Sequence, residues 1–245
     1  MTQFFVGTSG WNYPHWADGV FYPVGLSKKK WFKYYTEHFN GVELNVTFYR
    51  LLRKATFENW YLQTPEKFVF IVKGWRFITH IQRLKKVKET LSIFVENVCG
   101  LKNKLGAILW QFPPSFKKDT VCLKKFLKML TETKTRQVFE FRNQTWFDEE
   151  IYTLLEEHNG CLCIAHSGNR YPCKKIVTAD FLYLRFHGAG QLYNSDYSDK
   201  ELKEWANFAL SSNVKTVFAF FNNDAYGYAV KNAQKFDHLL RETYI

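Results

Sequence analysis

The apolar residues of this chain alternate between short β-rich runs and longer stretches with helical spacing. The β-rich runs predict eight strands, at residues 4–8, 42–47, 68–73, 107–111, 138–142, 162–166, 182–187 and 217–222. The helical spacing predicts helices at residues 28–39, 55–63, 84–101, 120–131, 148–158, 199–210 and 228–240. Only the stretch after the sixth strand lacks a clear helical pattern. Such an alternation favours a parallel sheet with right-handed crossovers.

A closed barrel is the usual form of eight strand–helix units at this length. The 245 residues therefore favour an α/β fold of the TIM (β/α)8 type, with parallel strands and outer helices. Neither a linker nor a repeat interrupts the pattern, so we expect residues 1–245 to form a single domain. An open doubly wound sheet is the alternative. It requires a G-x-G-x-x-G turn after the first strand, and residues 7–11, with the sequence GTSGW, lack that spacing.

Polar residues fall on one side of several predicted strands. On the second strand, apolar residues 42, 44 and 46 share one face, and polar residues 43, 45 and 47 share the other. The fifth and seventh strands repeat this alternation, and the others also end in polar groups. The inward or terminal polar residues are Ser9, Glu43, Asn45, Thr47, Lys73, Gln111, Glu140, Arg142, His166, Arg185, His187 and Asn222. Since barrel chemistry lies at the C-terminal strand ends, we predict a site there.

Two carboxylates and one histidine of this set are the candidates for proton transfer. The candidate catalytic residues are Glu43, Glu140 and His187. The candidate substrate-binding residues are Asn45, Lys73, Gln111, Arg142, Arg185, Asn222, Trp11, Tyr49 and Tyr193. A structural alternative stays open, in which Glu140 pairs with Arg142 or Arg185 and His187 only makes hydrogen bonds at the rim.

Charge favours an anionic ligand at these strand ends. Three cations, Lys73, Arg142 and Arg185, outnumber the two glutamates, which leaves the predicted mouth at a net charge of +1. This excess disfavours a metal ion, so we expect neither a metal nor another cofactor. The whole chain has 34 Lys and Arg against 23 Asp and Glu, a formal charge of +11. Aromatic residues beside basic ones at the strand ends also suit a nucleic acid as the partner.

Several classes of protein are disfavoured by the rest of the composition. The sequence contains no run of 18 apolar residues and no pattern of a secretory signal at its start, so we expect a cytoplasmic protein without a membrane partner. The five cysteines form no C-x-x-C pair, which favours reduced thiols over a disulfide framework or a zinc ribbon. The oligomeric state stays open.

A series of ordered motifs runs along nearly the whole chain. They are Gly7-Thr8-Ser9-Gly10-Trp11, Phe21-Tyr22-Pro23, Val42-Glu43-Leu44-Asn45, Thr79-His80, Lys104-Leu105-Gly106, Gln111-Phe112-Pro113-Pro114, Glu140-Phe141-Arg142, Arg185-Phe186-His187-Gly188 and Phe221-Asn222-Asn223-Asp224. Together they resemble the YecE-like family, domain of unknown function 72. The resemblance implies a TIM-barrel-like fold of unestablished biochemical activity. The chain departs from the family pattern at Leu52, where the family tends to have Pro, and at His166, where Asp is common.

Three functional hypotheses follow. The first is an enzyme for a phosphorylated or otherwise anionic substrate, such as a phosphoester hydrolase or an isomerase, with Lys73, Arg142 and Arg185 as an anion clamp and a glutamate as the base. A distant likeness to sugar isomerase and endonuclease IV barrels points the same way, by analogy of fold. The second hypothesis is a nucleic-acid-binding module without chemistry. The third is a carbohydrate-active barrel, although glycosidase carboxylates are expected on strands four and seven rather than two and five.

Overall fold

Nine parallel strands form the central sheet of the computed structural model, which describes residues 2–242. The strands are β1 (Gln3–Thr8), β2 (Gly41–Leu44), β3 (Val69–Lys73), β4 (Leu105–Gln111), β5 (Gln137–Glu140), β6 (Gly160–Leu162), β7 (Ile164–His166), β8 (Phe181–Phe186) and β9 (Thr216–Phe221). Their order is β6-β5-β4-β3-β2-β1-β9-β8-β7. The two end strands are separated by Cys163 alone, whose backbone N–H donates to the Phe139 carbonyl at 2.8 Å. The sheet therefore closes on itself, and the predicted α/β barrel is confirmed.

Helices connect most of the strands. The α-helices within residues 2–242 are α1 (Trp31–His38), α2 (Val46–Tyr49), α3 (Lys54–Gln63), α4 (Lys88–Val98), α5 (Thr120–Leu130), α6 (Glu149–Glu157), α7 (Asp199–Ser211) and α8 (Tyr228–Glu242). Side-chain caps fix where some begin: Asp119 accepts from Cys122 N at 2.9 Å before α5, and Ser198 forms a capping box with Glu201 before α7. Residues 167–180 contain no helix, as the sequence predicts. No helix in the described part of the chain is both long and apolar enough to cross a bilayer.

The apolar residues divide into two concentric cores. Alternate strand residues such as Val42, Leu44 and Phe139 face outward and pack against the helices. The residues between them in each strand point inward and fill the barrel interior below the polar strand ends. They are Ile71, Ala107, Leu109, Val138, Cys161, Cys163, Ala165, Phe181, Tyr183, Phe218 and Phe220. This arrangement confirms the predicted inward and outward parity, and it leaves the upper layer of the barrel to charged and polar side chains.

Two predicted strands differ from those in the structure. The second ends at Leu44 instead of residue 47, because Val46–Tyr49 forms one helical turn. The Thr47 hydroxyl lies 2.8 Å from the Leu44 carbonyl oxygen and 2.6 Å from that of Lys73, so local side-chain bonding replaces the strand ladder. The predicted sixth strand is interrupted at Cys163. The predicted helix at 84–101 is shorter, since a π-helical turn (Phe77–Ile81) and a bend precede α4.

Candidate functional site

Four side chains at the strand ends form a row of alternating charges across the barrel interior: Glu43, Arg185, Glu140 and Arg142. Arg185 donates from Nη2 to Glu43 Oε1 at 2.6 Å and from Nε to Oε2 at 2.8 Å. Its Nη1 donates to Glu140 Oε2, and Arg142 Nε donates to Glu140 Oε1 at 2.8 Å. The first three side chains are at most 1% exposed, and Arg142 is 13% exposed. The row is therefore sealed at Glu43 and reaches solvent at Arg142.

Each glutamate oxygen in this row already accepts two hydrogen bonds. Glu43 also accepts from the Ser9 hydroxyl at 2.9 Å and from the Tyr183 hydroxyl at 2.7 Å. Glu140 also accepts from Gln111 Nε2, at 2.9 and 2.8 Å on its two oxygens. A carboxylate has about four lone-pair sites, and all are used. Neither carboxylate has an oxygen left to take a proton from a substrate.

The charges fix the protonation of the row. Burial raises the pKa of both glutamates, but Arg185 and the other neighbouring cations and donors together outweigh it, so the pKa of Glu43 is lowered and that of Glu140 lies well below its usual range. Burial lowers the pKa of Arg185, and Glu140 and Glu43 together raise it well above its ordinary value. All three groups are ionised at neutral pH. The glutamates therefore hold Arg185 in place, which is the salt-bridge alternative left open by the sequence.

His187 continues the polar layer beside this row. Its Nε2 lies 3.3 Å from Arg185 Nη1, and its Nδ1 lies 3.2 Å from the Asn222 amide nitrogen. Burial and then the Arg185 charge hold the pKa of His187 well below its usual range, so the ring is neutral at pH 7. The Tyr193 ring meets it edge-on, with centroids 5.4 Å apart. These contacts bring four predicted site residues, His187, Arg185, Asn222 and Tyr193, together at one end of the barrel.

A second cluster surrounds the buried ring of Phe48, and we call it the Phe48 cluster. The Lys73 ammonium lies 4.3 Å from the ring centroid and the Arg76 guanidinium 5.8 Å from it. The His80 ring meets Phe48 edge-on at 4.9 Å. Burial, and then the charges of Lys73, Arg76 and Arg142, lower the pKa of His80 to about 4. The cluster is therefore a region of positive potential with a neutral imidazole inside it.

The remaining candidates lie around the rim of the barrel. A cavity of about 330 Å³ is lined by Trp11, Asn45, Glu43 and Trp60 together with other residues of the loop after β1 and of the end of β2. Asn45 Nδ2 donates to the Ser9 carbonyl at 3.2 Å, while its buried Oδ1 has no partner within residues 2–242. Tyr49 is 64% exposed and touches the edge of Phe48, outside this cavity.

His166 is placed differently from the other strand ends. Its Nδ1 lies 2.9 Å from the Tyr197 hydroxyl, and its ring packs at 5.3 Å against Trp205 on α7. It shares the outward parity of Ile164, so it faces the helices and not the barrel interior. His166 therefore ends its strand as the sequence predicts, but its side chain does not join the polar layer inside the barrel.

The sequence analysis did not identify two residues that contact the charged row, Tyr183 and Tyr171. Tyr183 has the same parity as Arg185 and His187, so strand alternation alone could have identified it. Tyr171, whose ring lies 4.4 Å from the Arg142 guanidinium, comes from an irregular loop with no sequence signal. Within residues 2–242, no group of three His, Cys, Asp or Glu residues is arranged to hold a metal ion.

Comparison with known proteins supports the barrel assignment. Residues 5–244 match the family model described as protein of unknown function DUF72. The chain is 28% identical to the UPF0759 protein YunF of Bacillus subtilis, over 96% of this chain and 94% of that protein. It is 27% identical to the UPF0759 protein YecE of Escherichia coli, over 46% of this chain and 38% of that protein.

Solved structures agree with these relatives. A DUF72 family protein from Thermotoga maritima superimposes with a TM-score of 0.87 and 32% identity, over 98% of this chain and 99% of that one. A DUF72 family protein from Enterococcus faecalis superimposes with a TM-score of 0.83 and 21% identity, over 98% and 96% of the two chains. The second likeness concerns the fold alone.

Proposed function

The chain belongs to the DUF72 family of barrel proteins, and from this premise we propose that the mouth of its barrel binds a phosphorylated or otherwise anionic small molecule. The Phe48 cluster supports this proposal most directly. Lys73, Arg76 and Arg142 all act on one imidazole, His80, and each lowers its pKa. Within residues 2–242, only Arg142 of these three cations has a carboxylate partner, Glu140, so an added anion would reduce the repulsion that remains among them.

The unpaired hydrogen-bond donors of Arg142 also favour an anion beside the Phe48 cluster. Arg142 bonds Glu140 through Nε, and its Nη1 and Nη2 have no hydrogen-bond partner within residues 2–242. Its guanidinium lies 4.4 Å from the Tyr171 ring centroid, which holds the terminal nitrogens in a fixed plane. A guanidinium with two free nitrogens suits bidentate contact with phosphate. All three guanidinium nitrogens of Arg185, by contrast, donate hydrogen bonds to Glu43 and Glu140. The proposed anion clamp therefore consists of Lys73, Arg76 and Arg142.

Binding of inorganic phosphate tests this proposal. At pH 6, phosphate should move the His80 ring signals in a proton NMR titration, because an anion beside the ring offsets the field of the three cations. Arg142→Gln should weaken binding by about 10- to 100-fold, the range expected when charge-assisted bonds are lost. Lys124→Ala, which removes an exposed lysine of α5, is the matched control and should leave binding unchanged.

Equal effects of Arg142→Gln and Lys124→Ala would contradict the proposal, because binding would then follow overall charge alone. The nucleic-acid alternative makes a different prediction. A single-stranded oligonucleotide should then bind far more tightly than phosphate, with an affinity that falls steeply with salt and depends on many surface lysines.

A further inference from the structure

We propose that Lys73 is a nucleophilic amine that forms an imine with a carbonyl-bearing anionic substrate. The inference rests on the anion site proposed above and narrows its occupant to an aldehyde or ketone that also carries a phosphate or similar group. Two observations support it: the groups that surround the Lys73 side chain, and the different hydrogen bonding of Lys104, a second buried lysine of the chain.

Lys73 is the last residue of β3, with its side chain turned into the barrel mouth and 8% of the residue exposed. Its Nζ lies against the Phe48 ring at 4.3 Å. Within residues 2–242 this ammonium makes no hydrogen bond, and no carboxylate oxygen lies within 4.0 Å of it. The fully buried side-chain atoms without a partner in residues 2–242 are Asn45 Oδ1 and Asn223 Oδ1, so Lys73 Nζ retains access to solvent and to a ligand at the mouth.

Lys104 shows what a structural buried lysine looks like in this protein. It is 5% exposed, and its Nζ donates to the carbonyl oxygens of Tyr61 and Thr64 at 2.6 and 2.7 Å and to the Thr64 hydroxyl at 3.1 Å. All three ammonium protons of Lys104 are therefore used. The two residues are 8% and 5% exposed, but within residues 2–242 the Lys73 nitrogen has no hydrogen-bond partner, whereas that of Lys104 has three.

The charges around Lys73 make its neutral form available. Burial, and then Arg185 from β8, lower the pKa of Lys73, while Glu140 and Glu43 raise it and Arg142 lowers it further, to about 7. Arg76 and the neutral His80 complete its surroundings in the Phe48 cluster. A large fraction of the amine is then unprotonated at neutral pH. A desolvated lysine next to another cation is the usual setting of an imine-forming residue.

The reaction balances without any further reagent. The Nζ lone pair attacks the carbonyl carbon, so a C–N bond forms and the carbonyl π pair moves to oxygen, which takes a proton from the nitrogen. The resulting carbinolamine loses its second N–H proton and its C–O bond, and the oxygen leaves as water. Arg76 and Arg142 hold the substrate anion during these steps and keep the carbonyl close to the amine.

Reductive trapping tests the inference. The protein is incubated at pH 7 with glycolaldehyde phosphate and sodium cyanoborohydride, and peptide mapping by mass spectrometry follows the alkylation of each lysine. Lys73 should be modified at least 10-fold faster than exposed Lys124 and faster still than Lys104. Uncharged glycolaldehyde is the matched probe and should also prefer Lys73, because its amine is largely unprotonated at pH 7, but by a smaller factor than the phosphate, which the anion site also holds. Alkylation of Lys73 no faster than that of Lys124 would overturn the inference.

A second measurement separates this inference from the proposed function. Lys73→Arg keeps a cation in the Phe48 cluster but cannot form an imine, so it should lose the fast alkylation, while phosphate binding is measured on the unmodified protein. If the unmodified protein binds phosphate but Lys73 is not trapped, the imine is excluded and the anion site stands. If phosphate does not bind while Lys73 is trapped selectively by both probes, the anion site is excluded and the amine is reactive on its own.

Discussion

Arg185 and Glu43 face each other across the barrel and are joined by two parallel hydrogen bonds, of 2.6 and 2.8 Å. They lie on β8 and β2, with β1 and β9 between them in the sheet. Both side chains are almost fully buried, and the second end of the guanidinium bonds Glu140 on β5. One arginine thus links three strands from different sides of the barrel, in the layer just below the proposed ligand.

Replacing Arg185 with methionine should destabilise the protein strongly. The variant leaves two buried carboxylates without their main counter-ion, and breaking a buried pair in this way costs about 3–5 kcal/mol. Urea unfolding at pH 7 measures the loss. The lowered pKa values of Glu43 and Glu140 mean that the pair stabilises the native protein above pH ~4.3 and that this contribution is lost as the pH falls. The difference between Arg185→Met and the unmodified protein should therefore shrink below pH 4.

A triple variant provides the control for this prediction. Glu43→Gln, Glu140→Gln and Arg185→Met together remove the charges on both sides, so they should recover part of the stability that Arg185→Met loses alone. A change of less than ~1 kcal/mol in Arg185→Met at pH 7 would contradict the role of this arginine as the central tie of the barrel.

The alternation of residue types predicted most of the barrel and the polar layer at its mouth. Strand parity correctly set Glu43, Arg185 and His187 inward, because successive strand residues must face opposite sides. It could not predict that the Thr47 hydroxyl would lie within hydrogen-bond distance of two carbonyl oxygens and that β2 would end at Leu44. Nor could strand alternation show that the His166 side chain faces outward, because its direction depends on the interruption of the strand at Cys163 and on packing against Trp205.

The roles of the charged residues were harder to predict than their positions. The sequence places two glutamates and three cations together but does not say which pairs form. In the structure the glutamates use all their oxygens on neighbours, and Arg185 is taken up by both of them. Only the distances distinguish such a closed ion pair from Lys73, which is 8% exposed and has no bonded partner in the part of the chain that the structure describes. The Lys73 amine, and not either glutamate, is therefore the proposed reactive group.

Gly7 is expected to tolerate no side chain. It pairs with Gly41 between β1 and β2, and a Cβ added there would overlap the Gly41 carbonyl oxygen and approach the Tyr35 hydroxyl at 2.7 Å. Because the obstacle is strand backbone, the barrel must deform, and Gly7→Ala should lower the free energy of unfolding by ~1–3 kcal/mol or more. Gly190→Ala is the control, since no atom lies within 4 Å of its added Cβ. Equal thermal stability of the two variants would refute this account.

Replacing Lys73 with methionine should make the protein more stable at pH 6. Most of the side chain is buried, and within residues 2–242 the ammonium has no bonded partner, so an apolar side chain of similar length removes the cost of partly desolvating a cation and should gain about 1 kcal/mol. The pKa of Lys73 is lowered from 10.5 to about 7 in the folded chain, so the unfolded chain holds the extra proton between these values. Folding of the unmodified protein therefore becomes more favourable as the pH rises through this window, and the advantage of Lys73→Met should decline from pH 7 towards pH 10. Urea unfolding at pH 6, 8 and 10 measures this trend.

Lys104→Met is the contrasting variant and should lose stability, because it leaves three buried acceptors without their donor. A Lys73→Met protein that is less stable than the unmodified one at pH 6 would show that this lysine holds the barrel together, as Lys104 does, and is not retained for chemistry at a cost in stability.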